Sequence, residues 1–282
     1  MGQKQFITPA EILQETIQNA EKKAALPVYK MLILGIVAGA FIAFAGEASN
    51  MAAYSLLASA ESYGLGRMVA GAVFAAGLVM VVIAGGELFT GNCLMAAGIY
   101  DKKVSAKAVL KNWFFVYIGN FIGACFVSWC INYSGLLGSG AGMLGAVTVK
   151  IAAGKVVLPF GKALVMGILC NWLVALGVWM GTAAKDIAGK VLAMFFPIWV
   201  FVISGYEHCI ANMFYVPIGI FAKATFAEQA IAIGASAEAV EALNWTNFAV
   251  VNLIPVTIGN IIGGAGCVAL FYWISYRKAE KR

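Results

Sequence analysis

The chain has 282 residues, of which 62% are hydrophobic and 11% are charged, and its mean hydropathy is +0.88. Soluble domains carry about 25% charged residues, so this composition excludes an ordinary soluble protein. The net charge of +6 comes from lysines and arginines that are spread along the chain, whereas nucleic-acid partners need clustered positive charge.

The first predicted element is an amphipathic helix within residues 1–27. This segment lacks the uninterrupted apolar core of a signal peptide. Thr8 and Glu11 match a capping box, and proline occupies the first helical position between them. Apolar residues then recur at helical spacing, at Ile12, Leu13, Ile17 and Ala20. The helix is expected either to lie at the membrane surface or to act as a movable plug or subunit-swapping arm.

The next segment, residues 28–275, predicts a channel domain of six membrane-spanning helices, and residues 276–282 form a tail. No charged residue occurs between Lys111 and Lys150 or between Lys162 and Lys185. Because a span needs about 20 apolar residues, these runs are long enough to cross a membrane. The fold class is therefore all-α and polytopic, with spans expected at 29–58, 67–100, 107–132, 158–183, 188–221 and 247–275.

Positive charge predicts the orientation of these spans. Six spans place both termini on the same side of the membrane. If that side is the cytoplasm, it holds fourteen of the 19 lysines and arginines. Cytoplasmic segments carry an excess of these residues. We therefore expect a multi-pass protein of the cell inner membrane with both termini in the cytoplasm.

A repeated pattern relates the two halves of the chain. Gly-x-Glu-x4-Asn at 85–92 recurs at 205–212, and Asn-x3-Val-x-Ile-Gly-Asn-x-Ile-Gly at 112–123 recurs at 252–263. Spans two and three therefore correspond to spans five and six. Each half has three spans, an odd number, so the second half enters the membrane upside down. This arrangement is an inverted 3+3 repeat.

Glycines and polar residues interrupt spans two and five near their middles, in "GGELFTGNC" (85–93) and "SGYEHCIAN" (204–212). Irregular backbone at membrane depth is tolerated only where it is buried in protein or lines a watery cavity. Paired interruptions in matching positions point to a transport site. The two segments are therefore predicted to be helix breaks that face each other across a pore near the midplane.

Two residues in these breaks, and one lysine at the outer entrance to span four, carry the expected chemistry. His208 is the only histidine, and an ionisable residue inside a span is a functional hypothesis by default. It could pass a proton to or from the anion of a weak acid, because its ordinary pKa lies near physiological pH. Thr90 is expected to donate its hydroxyl to the substrate or to His208. Lys155 either concentrates anions at the outer mouth or merely extends towards the interface.

Four further polar residues are expected to shape the breaks rather than to bind an anion. A glutamate in the pore would repel an anion, so Glu87 and Glu207 are predicted to accept hydrogen bonds from the broken backbone or from neighbours. Asn92 and Asn212 belong to the same repeated pattern. The six cysteines show no C-x-x-C spacing. Neither a metal site nor a cofactor is expected, and with one histidine no catalytic constellation is formed.

With these residues in place, the chain resembles the formate/nitrite transporter family along nearly its whole length. The segments that carry the resemblance are "GGELFTGN" (85–92), "GILCNW" (167–172), "GYEHCIANMF" (205–214) and "NLIPVTIGNIIGG" (252–264). The resemblance implies a homopentamer of six-helix protomers with an aquaporin-like fold, each protomer with its own pore and with broken second and fifth spans.

The resemblance also implies roles for individual residues. Thr90 matches the threonine of the first break, His208 the central histidine, and Lys155 the lysine that draws anions into the outer vestibule. Asn171 and Asn260 match polar positions associated with the passage. The apolar constrictions of the pore match Phe74, Leu78, Leu88 and Phe201. The N-terminal segment matches one implicated in gating.

The expected function is a membrane channel for formate and similar small monovalent anions, with pH-dependent, histidine-assisted, proton-coupled passage. A nitrite or hydrosulfide channel of the same family is the alternative, and acetate and lactate are further candidate anions. The other expected partners are protons and the lipid bilayer. An aquaporin-like pore for neutral solutes is more remote, because paired Asn-Pro-Ala motifs are absent. A membrane enzyme or redox subunit would need several histidines.

Overall fold

The computed structural model describes residues 6–277, and within them the chain is helical, with one isolated backbone bridge between Phe6 and Ala184. The predicted tail lies mostly outside the described residues. We number the helices in chain order. The first half contains α1 (Pro9–Ala24), α2 (Val28–Leu57), α3 (Tyr63–Gly85), α4 (89–100) and α5 (Ala106–Tyr133). The second contains α6 (Met143–Lys155), α7 (Phe160–Ala183), α8 (Ile187–Ser204), α9 (Cys209–Ala232), α10 (Ala237–Ala242) and α11 (Trp245–Tyr276).

Seven helices of the described part are long and apolar enough to cross a membrane. They are α2, α3, α5, α7, α8, α9 and α11. Helices α8 and α9 are the two halves of the fifth span, and they qualify separately. The predicted all-helical membrane fold with breaks in the second and fifth spans is confirmed.

The fifth span extends further than the sequence predicts, to Ala232 rather than residue 221. Its apparent end coincided with the charge of Lys223. In the structure the Lys223 ammonium donates hydrogen bonds to the backbone carbonyls of Glu241 and Leu243 at 2.9 and 3.3 Å. These hydrogen bonds satisfy the Lys223 ammonium, so the helix continues past this residue.

Helix α6 lies between the predicted spans 107–132 and 158–183, where no helix was predicted. Its apolar residues Leu144, Val147 and Ala152 are buried. Gly145 lies against the ring of Phe226 in α9, so closely that a side chain at this position would overlap it. The helix is therefore part of the packed bundle, although its length of 13 residues is too short for a membrane span.

The amphipathic helix α1 packs against the bundle. Its buried residues Ile12, Leu13 and Ile17 belong to one apolar cluster with Trp179 of α7 and Val268 of α11. The Glu11 carboxylate accepts the Thr8 backbone N–H at 2.7 Å, as the capping box predicts. The helix therefore packs against the other helices of the protein. It lies beside the cavity that leads to the first break.

Glycines bring matching helix pairs into close contact in the two halves. A Cβ atom on Gly123 of α5 would overlap the backbone carbonyl of Ile36 in α2, and one on Gly263 of α11 would overlap that of Ile168 in α7. Such small residues let helix backbones approach closely in lipid. The two crossings use equivalent positions of the sequence repeat, Gly123 and Gly263.

Candidate permeation site

Each break begins where a glycine ends a helix. Gly85 ends α3 with φ +94 and Gly205 follows α8 with φ +77, a left-handed conformation that glycine adopts without steric cost. Leu88 and His208 then take extended conformations, and α4 and α9 start directly after them. The start of each second half-helix therefore lies inside the protein.

Asn120 of α5 holds the first break. Its side-chain oxygen accepts the Phe89 N–H at 3.0 Å. Its side-chain nitrogen donates to the carbonyls of Gly35 and Glu87, both at 2.8 Å. One buried amide thus satisfies backbone groups on both sides of the interruption, which would otherwise be unpaired at membrane depth.

Asn260 of α11 repeats this arrangement at the second break. It accepts the Cys209 N–H at 2.9 Å and donates to the carbonyls of Gly167 and Glu207 at 2.8 and 3.0 Å. Its side chain is fully buried and committed to these three bonds. The predicted link of Asn260 with the passage stays a prediction, since its contacts are those of a residue that supports the loop.

An ion pair connects the first break to the end of α1. Lys23 Nζ, at the end of α1, lies 2.6 Å from Glu87 Oε1. Asn92 donates to the other Glu87 oxygen at 2.7 Å and to Asn112 at 2.8 Å. Asn112 in turn donates to the backbone carbonyl of Lys23 at 3.2 Å. These four residues form a closed polar ring.

The same ring occurs at the second break. Lys155 Nζ, at the end of α6, lies 2.7 Å from Glu207 Oε1. Asn212 donates to Glu207 and to Asn252 at 2.7 and 2.8 Å, and Asn252 donates to the carbonyl of Lys155 at 3.1 Å. Lys155, expected as an anion-attracting residue, is therefore also the counter-ion of a buried glutamate.

The two breaks meet through Thr90 and His208. Thr90 Oγ1 lies 2.9 Å from His208 Nε2, and both residues are buried. His208 Nδ1 accepts the Ala211 N–H at 3.0 Å and so caps α9. Because a backbone N–H can only donate, Nδ1 carries no proton. The neutral ring therefore has its proton on Nε2 and donates it to Thr90.

Asn171 of α7 joins the same centre. Its side-chain nitrogen donates to the carbonyls of Thr90 and Asn260 at 3.2 and 2.7 Å. Its side-chain oxygen is buried without a hydrogen-bond partner. Asn171 thus links the first break to α11, whose Asn260 holds the second break.

Three cavities lie in sequence along the protein. The Lys155 vestibule, of about 300 Å³, is lined by Phe74, Phe201 and His208 as well as by Lys155. Phe74, Phe201 and His208 also line a central chamber of about 10 Å³. Leu78 and Leu88 line this chamber as well. Leu78 and Leu88 in turn line the Lys23 vestibule of about 610 Å³.

The four residues expected to form the constrictions therefore all line the chamber. Phe74 and Phe201 separate it from the Lys155 vestibule, with their rings edge to face at 5.8 Å. The Phe201 ring stacks on His208 at 5.9 Å. A volume of about 10 Å³ scarcely holds one water molecule. The path is thus closed at its centre in this conformation.

Both vestibules carry more positive than negative charge. Three cations and one carboxylate line the Lys155 vestibule, namely Arg67, Lys150, Lys155 and Glu207. Three cations and two carboxylates line the other, namely Lys23, Lys185, Lys190, Glu15 and Glu87. Such clefts raise the local concentration of anions.

Comparisons with known proteins show the family of this chain. The family model for formate/nitrite transporters matches residues 10–274. The chain belongs to the formate/nitrite transporter family. Members of this family are channels and transporters rather than enzymes.

Individual relatives extend along almost the whole chain. A probable formate transporter of Methanothermobacter thermautotrophicus is 39% identical over 97% of this chain and 98% of its own. The formate channel BtFdhC of Bacillus thuringiensis is 38% identical over 97% of each chain. The formate channel FocA of Escherichia coli K12 is 35% identical over 96% of this chain and 95% of its own.

Two solved structures have the same fold. A pentameric formate channel with formate bound is 37% identical, with a TM-score of 0.77 over 89% of this chain and 98% of that one. An ion channel of the same family is 26% identical, with a TM-score of 0.79 over 94% of this chain and 98% of that one.

Four residues of the site carry no role that the sequence predicts, namely Lys23, Asn112, Asn120 and Asn252. Asn112, Asn120 and Asn252 belonged to the repeated motif, but their side-chain partners lie far away in the chain. Lys23 was counted only among the cytoplasmic positive charges. Extending the repeat into α1 would have found it, because Lys23 precedes Gly35 by the same twelve residues that separate Lys155 from Gly167.

Proposed function

We propose that this protein is a homopentameric inner-membrane channel for formate and similar small monovalent anions, with histidine-assisted, pH-dependent passage. Both termini lie in the cytoplasm, so the Lys155 vestibule opens to the outside. The observation that carries the proposal is the 2.9 Å contact between Thr90 and His208. It is formed at the chamber between two apolar constrictions.

Because the constrictions are apolar, the negative charge of the anion is the main obstacle to its passage. Removing a carboxylate from water into apolar surroundings formally costs tens of kcal/mol, and in practice the group is neutralised instead. Phe74, Leu78, Leu88 and Phe201 offer no hydrogen bonds to replace the lost hydration. An anion that gains a proton at the chamber avoids most of this cost.

His208 can supply that proton in two steps. In its neutral form Nδ1 accepts the Ala211 N–H, and the Nε2 proton is donated to Thr90. When Nδ1 takes up a proton, the bond to Ala211 breaks and the ring becomes an imidazolium. The Nε2–H can then be given to a weak-acid anion, while Nδ1 keeps its proton and the ring returns to neutrality. The Thr90 hydroxyl provides a second donor that positions the anion.

Formate is the favoured substrate because the relatives above that carry a formate name cover nearly the whole chain. Nitrite and hydrosulfide are also small anions of weak acids, and acetate and lactate are larger ones. The charges and apolar constrictions of the site suit each of the smaller anions. The choice among them is decided by transport measurements.

The experiment is uptake of formate, nitrite and hydrosulfide into proteoliposomes at several pH values. We expect formate to be fastest and its rate to change as pH crosses the range from about 5 to about 8, where histidine titrates. Faster nitrite or hydrosulfide uptake would reassign the substrate and keep the mechanism.

His208→Asn is the matched variant for the mechanism. Asparagine is a good N-cap, so α9 keeps its start, but the residue does not titrate. We expect slow uptake without the histidine-range pH dependence. An unchanged rate and an unchanged pH profile would rule out proton transfer by His208.

A further inference from the structure

Helix α2 carries a group of buried polar atoms outside the Thr90–His208 site. Both carboxyl oxygens of Glu47 are buried without a hydrogen-bond partner, and so is the side-chain nitrogen of Asn50, one helical turn later. Among the described residues, only Asn171 and Asn212 have another buried atom in this condition. Buried polar groups are normally satisfied, so three unpartnered atoms on one turn require an explanation.

Glu47 lies beside the wall of the Lys155 vestibule. Its neighbours Ser49 and Asn50 line this cavity, and so does Tyr215 of α9. Lys155 Nζ lies 5.6 Å from the centre of the Tyr215 ring. The wall that contains Ser49 and Asn50 therefore belongs to the same cavity as the lysine that meets an incoming anion.

The surroundings of Glu47 favour its neutral form. The ion pairs of the described residues at the two breaks use Glu87 and Glu207, and no described cation pairs with Glu47. A carboxylate without a partner is costly in apolar surroundings, whereas a neutral carboxyl needs no counter-ion. Ser49, two residues along the same helix, lines the vestibule, and water in this cavity is the nearest described source of a proton for Glu47.

A charge on Glu47 would act on the groups that line the neighbouring vestibule. The titratable and charged groups that line it are Tyr63, Arg67, Lys150, Lys155, Tyr206, Glu207, His208 and Tyr215. Their net charge is positive and attracts anions. Ionisation of Glu47 would add a negative charge that opposes this attraction.

We propose that Glu47 is a second proton-binding site of this channel, and that its ionisation weakens the uptake of anions into the Lys155 vestibule. This inference rests on the proposed anion function. A unit charge about 10 Å away at an effective dielectric constant of about 20 changes the local anion concentration by roughly tenfold. Formate uptake is expected to fall by about this factor as Glu47 loses its proton.

Glu47→Gln tests the proposal, because it removes the proton site and keeps the size of the side chain. Formate uptake is measured with equal pH on both sides of the proteoliposome, from about 5 to about 8. At the alkaline end the variant should exceed the parent by roughly tenfold, and at the acid end the two should agree. Glu61→Gln, at an exposed residue after α2, removes the same charge outside the site and should follow the parent.

Superimposable pH profiles of the parent and Glu47→Gln would overturn the proposal. Infrared titration gives a readout that does not depend on transport. A carboxyl band that titrates in the parent and shifts in Glu47→Asp supports the proton site, and its absence overturns it. If the band titrates while the parent moves no formate at any pH, the proposed substrate fails and the proton site at Glu47 stands.

Discussion

The two breaks have the same supporting contacts but different functional side chains. Each has a glycine with positive φ, a supporting asparagine from the third span of its half, and a lysine–glutamate pair closed by two more asparagines. The residue that precedes the second half-helix differs. It is Leu88 in the first break and His208 in the second.

That difference changes the helix that follows. His208 accepts the Ala211 N–H and caps α9, which continues for 24 residues. Leu88 has no side-chain acceptor, and α4 consists of one short α-helical turn, a 3-10 turn and a final five-residue helix. The contacts that support the pore thus occur twice, once in each half of the repeat. The titratable group and the hydroxyl come from non-equivalent positions, one in each half.

The largest expected effect comes from breaking the close contact in either half. Gly123→Ala and Gly263→Ala each place a Cβ against a backbone carbonyl, which no side-chain rotation relieves. We expect both variants to lose the detergent-stable oligomer in size-exclusion chromatography. Gly161→Ala is the control, because nothing lies within 4 Å of that position. A stable Gly263→Ala oligomer would show that the second crossing is looser than the first.

A smaller effect is expected from removing one lysine of the ion pairs. Lys155→Met leaves Glu207 buried without a counter-ion, which costs on the order of 3 kcal/mol for a buried pair. Lys23→Met should cost less, because the Lys23 side chain is 30% exposed and that of Lys155 is 15% exposed, and solvent screens the more exposed pair.

Thermal unfolding of both variants checks this order of stability. Adding Glu207→Gln to Lys155→Met should recover stability but not formate uptake, since the cation is still missing. Equal stability of the two single variants would contradict the difference in burial. Full recovery of uptake in the double variant would exclude a role for Lys155 in attracting anions.

The smallest effect concerns the contact between the halves. Thr90→Val keeps the shape of the side chain and removes one hydrogen bond to His208, worth about 1 kcal/mol. We expect formate uptake to slow by up to roughly tenfold, and Thr90→Ser to stay near the parent rate. The measurement is initial uptake into proteoliposomes. If valine is tolerated as well as serine, the hydroxyl does not position the anion.

Local patterns were enough to predict the breaks, whereas the residues of the constrictions were implied only by the family resemblance. Glycine and polar residues in an apolar stretch are visible in sequence, and their recurrence revealed the repeat. The ion pairs were not visible in the same way. Lys23 and Glu87 are 64 residues apart, and Lys155 and Glu207 are 52 apart. No local spacing joins such residues, so the sequence did not predict that Lys155 pairs with a glutamate.

The sequence by itself determined a membrane protein of two inverted halves with its polar residues at two breaks, because hydrophobic length and repeated motifs are properties of the chain. Tertiary structure alone decided how those residues meet. Thr90 and His208, 118 residues apart, are joined by the packing of helices from both halves. That packing decides where the His208 ring directs its Nε2 proton, and it also closes the central chamber. Both features depend on distances of a few ångströms between segments that are far apart in the chain.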